Sequence, residues 1–149
     1  MFFKILKYFC FTTKRIMGVI TLNASSRANR RPSQSGWISL NMSYNSTHVF
    51  TVQNFTTDTT PQYVDPEGDP LNAIKIKSLP EKGSLNLNAI SVNLDDEISS
   101  TDISNGLLQY VSDASENEGY DDSSMTFTVS DTGSLSFTTL PYQVVFDVE

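Results

Sequence analysis

The sequence has few of the residues on which catalysis and covalent cross-linking depend. It has one cysteine, Cys10, and one histidine, His48. A single cysteine excludes an internal disulfide, and the pair offers neither a convincing Cys–His nucleophile nor the spacing of a zinc site. A Gly-X-Ser-X-Gly elbow and a glycine-rich phosphate loop are also missing. We therefore predict that the protein is not an enzyme.

Long apolar runs are lacking as well, and none approaches the ~20 residues that cross a bilayer. Residues 1–16 are both apolar and basic, and Lys4 and Lys7 interrupt the apolar stretch that a secretory signal needs. Two interpretations of this extension stay open. It is either an interfacial amphipathic helix that contacts a membrane, or an upstream part of the reading frame before a true start at Met17.

Acidic residues are absent from the first 57 positions, which carry seven Lys or Arg and a charge of +7. Residues 58–149 carry three Lys and seventeen acids, a charge of −14, which gives the net −7. The acidic part argues against nucleic acid as its partner. We predict that residues 17–47 form a polar, basic arm, which is either a solvated tail or a partner-binding segment. Its candidate binding residues are Arg27, Arg30 and Arg31.

What the sequence does contain is a series of short segments in which apolar and polar residues alternate, without a sustained helical period. The residues 80–84 and 131–136 have the composition of hairpin turns, and 102–106 predicts a turn or one helical turn capped by Asp or Ser. This spacing predicts an antiparallel β-sandwich over residues 48–149. The strand-like segments are 48–55, 74–77, 85–87, 107–111, 125–129 and 142–148.

The order of several short motifs resembles a known family. Tyr-Val-Asp-Pro-Glu-Gly-Asp-Pro-Leu at 63–71 is followed by residues 76–87, Gly-Leu-Leu-Gln-Tyr at 106–110 and Phe-Thr-Val-Ser-Asp at 127–131. This order resembles the cadherin-like, immunoglobulin-like repeats of bacterial surface proteins and phage structural proteins. The resemblance covers roughly residues 48–149. It implies a spacer, an adhesive module or a calcium-stabilised rod.

The chain departs from the pattern of these repeats in two turns. Asn88 and Ala89 stand where the family often has a glycine, and residues 95–97 are acidic where another glycine is common. The hairpin between them is therefore expected to be longer or differently turned. Only one copy is present, which does not fit a rod of tandem repeats.

Asp65, Glu67 and Asp69 lie at alternating positions of one turn that also contains proline and glycine. Hard oxygen donors in a tight loop suit Ca²⁺, which takes 6–8 oxygens. The alternative is a solvated turn in which Asp65 caps its own backbone. The family resemblance adds Asp131 to the candidate metal ligands. Weaker candidates are Asp58, Asp121 and Asp122.

Three functional hypotheses follow. The first is a structural virion protein, a phage capsid or tail accessory or decoration protein, whose arm docks on other subunits of the particle. The alternative is an extracellular or cell-surface adhesion module, stabilised by calcium, that binds a protein or glycan. The third is a peripheral membrane protein held by residues 1–16. Exposed edge strands also make an oligomer plausible.

Overall fold

The structure, a computed structural model, describes residues 29–32, 35–113 and 123–148. The extension 1–16, Arg27, Asp121 and Asp122 lie outside the described residues. Nine strands and two short helices make up the described part. The strands are β1 (Trp37–Met42), β2 (Thr47–Val49), β3 (Leu71–Ser78), β4 (Ser84–Leu87), β5 (Ile90–Ser91), β6 (Glu97–Ser99), β7 (Leu108–Val111), β8 (Ser123–Asp131) and β9 (Tyr142–Val148); the helices are a 3-10 turn (Val52–Phe55) and α1 (Ser100–Ser104).

The strands form two sheets, one in the order β1-β9-β8-β3-β6 and the other in the order β2-β7-β4-β5. The prediction of an all-β sandwich is confirmed. Every strand pair is antiparallel except β1 with β9, which is parallel. Because Trp37 pairs with Gln143 and Met42 with Val148, the sandwich begins at Trp37. The boundary predicted at residue 48 is therefore too late.

The core lies between the sheets and is rich in aromatic side chains. Tyr110 of β7 stacks on Phe146 of β9 at a centroid distance of 3.7 Å, and so joins the two sheets. Phe55 meets Phe127 edge-to-face at 5.0 Å. All four rings are fully buried. Such pairs add about 0.5–1.5 kcal/mol beyond the burial of their area.

The hairpin predicted at 80–84 is wrong. β3 pairs with β6 and β8, whereas β4 pairs with β5 and β7, so this segment carries the chain from one sheet to the other. Gly83 has φ +71, and a Cβ there would lie 2.7 Å from Cζ of Tyr110. The turn residues were recognised correctly. They serve a crossover, in which the missing Cβ of Gly83 lets the chain pass close to Tyr110 of the second sheet.

Two local structures follow from side-chain caps. The segment 48–55 is a strand only as far as Val49, because the Asn54 amide oxygen accepts a hydrogen bond from the Thr51 backbone at 2.9 Å and the chain turns into the 3-10 helix. The helical turn predicted at 102–106 is present as α1. Its N-cap is Ser99, whose side chain accepts a hydrogen bond from the Asp102 backbone at 3.0 Å.

The turn between β4 and β5 contains only Asn88 and Ala89, which have φ angles of 50° and 63°. Two consecutive left-handed residues are typical of a type I′ hairpin turn, which matches the twist of its strands. The hairpin, expected to be longer or differently turned, is a two-residue turn that holds an alanine in a conformation favoured by glycine.

The strand register separates the two ends of the sandwich. The first residue of β3 and the last residue of β8 lie at one end, which we call the acidic end because Asp65, Glu67, Asp69 and Asp131 are found there. β9 begins opposite Phe127, in the middle of β8, and β1 and β9 run side by side from there to the opposite end, where β8 begins. The described part of the arm, residues 29–32, contacts the acidic end.

Candidate metal centre

Three of the predicted ligands gather around one phenol at the acidic end. Leu71 at the start of β3 pairs with Asp131 at the end of β8, which brings the loop before β3 close to Asp131. Burial raises the pKa of Tyr63, and the charges of Asp65, Asp131 and Asp69 raise it further. The three carboxylates therefore share one electrostatic environment, although the loop and the strand are distant in sequence.

Asp65 has one satisfied and one unsatisfied carboxylate oxygen. Its Oδ1 accepts hydrogen bonds from the backbone N–H groups of Glu67 and Asp69, each at 2.9 Å. This is the self-capping turn that the sequence offered as the alternative to a metal site. Its Oδ2, however, is buried without a hydrogen-bond partner, and the residue is only 8% exposed. A buried, unpaired carboxylate oxygen is unfavourable unless a cation or donor satisfies it.

Asp131 is fully buried and densely hydrogen-bonded. Its Oδ1 accepts from Asn29 Nδ2 at 2.9 Å and from the backbone N–H groups of Gly133 (2.7 Å) and Ser134. Its Oδ2 accepts from the Ser134 hydroxyl at 2.7 Å. Desolvation acts to raise the pKa of Asp131, but the hydrogen bonds from Ser134 and Gly133 outweigh it and hold the pKa below its ordinary value.

Asn29 is a site residue that the sequence did not reveal. Its amide nitrogen donates to Asp131, while its Oδ1 is buried without a hydrogen-bond partner. A Cβ built on Gly133 would collide with both the Asn29 amide and the Asp69 carboxylate, so these two groups lie together above that glycine. No local signal marks Asn29, because it lies 102 positions from Asp131 within an ordinary polar segment.

Glu67 and the arginines of the arm make a different set of contacts. Arg30 Nε lies 3.1 Å from Glu67 Oε1, and the Arg30 backbone donates to Oε2 at 3.2 Å. Arg31 Nη1 donates to the carbonyl of Phe137 at 3.4 Å. Glu67 therefore holds the arm in this arrangement. Asp58 accepts from Asn54 Nδ2 in the 3-10 turn at 3.1 Å and is engaged there.

Within residues 29–32, 35–113 and 123–148, no three His, Cys, Asp or Glu side chains converge as a ready-made metal cluster. The oxygens that could take a cation are Asp65 Oδ2 and Asn29 Oδ1, which are buried without hydrogen-bond partners. The Asn29 amide nitrogen is the atom that faces the carboxylates of Asp131 and Asp69. Carboxylate and amide oxygens suit Ca²⁺ and its flexible coordination, and they do not favour zinc.

Compared with known proteins, the chain matches no family, and no curated protein or solved structure is significantly similar to it. The resemblance to cadherin-like repeats therefore stays a prediction, and functional conclusions depend on the geometry of the acidic end. None of the helices in the described ranges has the length and hydropathy of a transmembrane span.

Proposed function

We propose that this protein is a non-enzymatic structural and binding module, a cadherin-like, immunoglobulin-like β-sandwich whose acidic end binds Ca²⁺. The observation that carries the proposal is the pair of buried, unpartnered oxygens, Asp65 Oδ2 and Asn29 Oδ1. They come from two separate segments, the loop before β3 and the arm. The Asn29 amide nitrogen donates to Asp131, and the hydrogen bonds that lower the pKa of Asp131 keep it ionised at neutral pH.

The physical role of the site is to fasten the arm to the sandwich. Ca²⁺ supplies positive charge that offsets the repulsion among Asp65, Asp69 and Asp131. Asn29 contributes its amide oxygen from the arm, and its amide nitrogen already orients the Asp131 carboxylate. The ion pair between Arg30 and Glu67 holds the next residue of the arm in place. An exposed ion pair of this kind contributes little free energy on its own. We therefore expect the ion to supply most of the free energy that holds the arm against the sandwich.

The biological setting that we propose is a virus particle, with the protein as a phage capsid or tail accessory or decoration subunit. The two-ended geometry supports this setting. The arm leaves from the acidic end, whereas β9 runs to the opposite end of the sandwich. A subunit of this shape can dock by its arm, using Arg27, Arg30 and Arg31, and display the rest of the sandwich.

An adhesive module on a cell surface or in the extracellular space is the second candidate, because the same calcium-dependent stiffening would serve it. Purified particles distinguish the two. Mass spectrometry that finds the protein in particles at a fixed ratio to the major subunits supports the virion role. Its consistent absence from particles, with recovery from the cell surface, supports adhesion instead.

Calcium binding is tested by thermal unfolding of the full chain in EGTA, in Ca²⁺ and in Mg²⁺. At 100 times its Kd, an ion that binds only the folded state adds about 2.7 kcal/mol, a rise of several degrees in Tm. The rise should require Ca²⁺ and disappear in Asp65→Asn. Asp58→Asn is the matched control and should keep it. Equal melting temperatures in EGTA and Ca²⁺ would remove calcium from the proposal.

A further inference from the structure

The strand β1 is the longest outer strand in the described part of the chain. Each sheet has two outer strands, which are β1 and β6 in one sheet and β2 and β5 in the other. β1 has six residues, whereas β2 and β6 have three each and β5 has two. A short outer strand offers little backbone for pairing with another chain. β1 is therefore the edge best suited to accept a further strand.

β1 also lacks the side chains that usually protect an outer strand. Its sequence, Trp-Ile-Ser-Leu-Asn-Met, contains no charged residue and no proline, and these are the residues with which natural sheets discourage pairing between edges. The other outer strand of the same sheet differs, because Glu97 of β6 forms an ion pair with Lys75 at 2.8 Å. A chain with a net charge of −7 repels its own copies, and β1 offers them an edge strand that carries no charge.

The backbone groups of β1 divide into two sets. In a parallel pair, alternate residues direct both N–H and C=O to the neighbouring strand. The Gly36 carbonyl accepts a hydrogen bond from the Gln143 backbone of β9 at 2.8 Å, which assigns the even-numbered residues of β1 to the β9 side. Ser39 and Asn41 therefore point their backbone groups away from β9. Among residues 29–32, 35–113 and 123–148, no backbone group bonds to them there.

One end of this unpaired edge is closed by the chain itself. Trp37 also directs its backbone outward, and it exchanges two hydrogen bonds with Thr60, at 3.1 and 2.8 Å. A strand added to β1 can therefore pair with Ser39 and Asn41 but not with Trp37. β1 itself ends at Met42, so a second copy of β1 matches the length that is left open.

Antiparallel pairing of two β1 strands about a twofold axis at Leu40 satisfies all of these outward groups. Ser39 of each copy then lies opposite Asn41 of the other, and each such pair exchanges two N–H···O=C bonds. The strand of the second copy ends one position before the place that Thr60 occupies. Because the two copies use the same surface, the contact closes as a dimer.

Two apolar side chains of β1 gain cover in this pairing. Leu40 packs against the core but is only partly buried. At the axis it meets Leu40 of the second copy in a pair without hydrogen bonds, where opposite side chains come closest. Trp37 is 53% exposed, and it lies diagonally to Asn41 of the second copy, within reach of an aromatic side chain. The pairing therefore removes apolar surface from water, which favours association.

We infer that β1 is a self-association surface, and that two copies of the protein pair their β1 strands antiparallel about Leu40. The two five-stranded sheets then form one continuous sheet across the dimer. The inference goes beyond the proposed calcium site and does not depend on it, because none of the contacting residues belongs to the acidic end.

The test measures the molecular mass of the full-length chain by sedimentation equilibrium in EGTA, from micromolar to submillimolar concentrations. We expect a reversible equilibrium between monomer and dimer. Trp37 is the one tryptophan of the chain, so its fluorescence emission should shift to shorter wavelength over the same range of concentration. A mass that stays at 16.6 kDa throughout, or that rises beyond that of a dimer, overturns the inference.

Charged substitutions at the paired positions test the register. Ser39→Lys with Asn41→Lys places like charges opposite each other twice, and we expect it to weaken the dimer about tenfold. Ser39→Glu with Asn41→Lys places opposite charges there and should keep the affinity within about threefold of that of the unsubstituted chain. Both variants carry Asn41→Lys beside Asp147 of β9, so they differ only at position 39. Equal affinities of the two variants overturn the pairing about Leu40.

Net charge and folding are controlled in the same series. The two lysines change the net charge from −7 to −5, so a weaker dimer in that variant cannot come from repulsion between whole chains. Thr47→Lys with Val49→Lys is the matched change on the outer strand β2 and should leave the dimer intact. The Tm of each variant shows that it is folded. Association that persists in the β1 lysine variant, or that is lost in the β2 variant, comes from another surface and overturns β1 as the interface.

Discussion

Polar clusters at the two ends of the sandwich are satisfied in different ways. At the opposite end, the Ser112 hydroxyl donates to the Ser43 carbonyl and accepts from the Ser46 backbone, both at 2.9 Å. This serine network (Ser43, Ser46 and Ser112) is neutral and is completed by the chain itself. The acidic end is charged and leaves Asp65 Oδ2 and Asn29 Oδ1 without hydrogen-bond partners, and near the end of β9 Asp147 Oδ1 is buried and unpartnered as well. The serine network is therefore satisfied by folding alone, whereas the acidic end is the one that we propose a ligand completes.

The largest effect is expected from Asp131→Ala. The change removes a buried acceptor of four hydrogen bonds and leaves the donors of Asn29, Gly133 and Ser134 unpaired. We expect a loss of about 3 kcal/mol in the free energy of unfolding even in EGTA. Urea denaturation measures it. A loss below about 1 kcal/mol would show that the acidic end contributes little to the fold without its ion.

The next effect concerns the attachment of the arm. Trypsin cleaves the Arg30–Arg31 bond, and we expect Ca²⁺ to slow this cleavage about tenfold because the ion holds Asn29 against Asp131. In Asn29→Ala, cleavage should be equally fast in Ca²⁺ and EGTA. Mass spectrometry of the digest over time measures the rate at this bond. Protection by Ca²⁺ that persists in Asn29→Ala contradicts the role of the amide oxygen.

A smaller effect is expected from Ser112→Ala, a substitution that tests the opposite end of the sandwich. The variant leaves the Ser46 N–H without its acceptor, and we expect a loss of about 1–2 kcal/mol. This loss should be equal in EGTA and in Ca²⁺, since the serine network needs no ion. A calcium-dependent difference in the urea midpoints of this variant would show that the two ends are coupled.

The smallest effects come from two strained turns, one after β8 beside the candidate site and one between β4 and β5 in the other sheet. Ala89 has φ 63° in the β4–β5 turn, and Leu135 has φ 57° beside Asp131. Replacing either residue by glycine should raise the free energy of unfolding by about 1 kcal/mol. Thermal unfolding checks both. Only Leu135→Gly is expected to change the response to Ca²⁺, because its loop carries Ser134. If both variants respond equally to Ca²⁺, the strain at Leu135 does not affect the ion site.

The sequence was sufficient to predict those elements whose structure depends on residues close together in the chain. Alternation predicted β8 and β9, and the composition of residues 102–106 predicted the helical turn that is present as α1, although its N-cap Ser99 was not singled out. It failed where partners lie far apart in the chain. Residues 37–40 were compatible with a short strand, but they were assigned to the polar arm because the parallel partner β9 lies about a hundred positions away. Turn residues at 80–84 could not show which strand the chain joins next.

The candidate site was predictable to the same extent. Asp65 and Asp69 could be singled out as candidates because they share one loop, and their role as ligands stays a prediction. Glu67 has the same spacing, but Gly68 adopts φ +83 and its N–H bonds to the Asp65 carbonyl at 3.2 Å. This turn directs Glu67 to Arg30, a result that alternation in an extended chain does not predict. Asn29 was missed because only the folded chain brings it to Asp131.

The parallel pairing of β1 with β9 has a mechanical consequence. A tensile load applied to the arm at the acidic end and to the last residue of β9 at the opposite end pulls the two strands lengthwise past each other. The hydrogen bonds along all six paired positions then bear the force together, in shear. An antiparallel hairpin pulled from its open end would instead lose its bonds one after another.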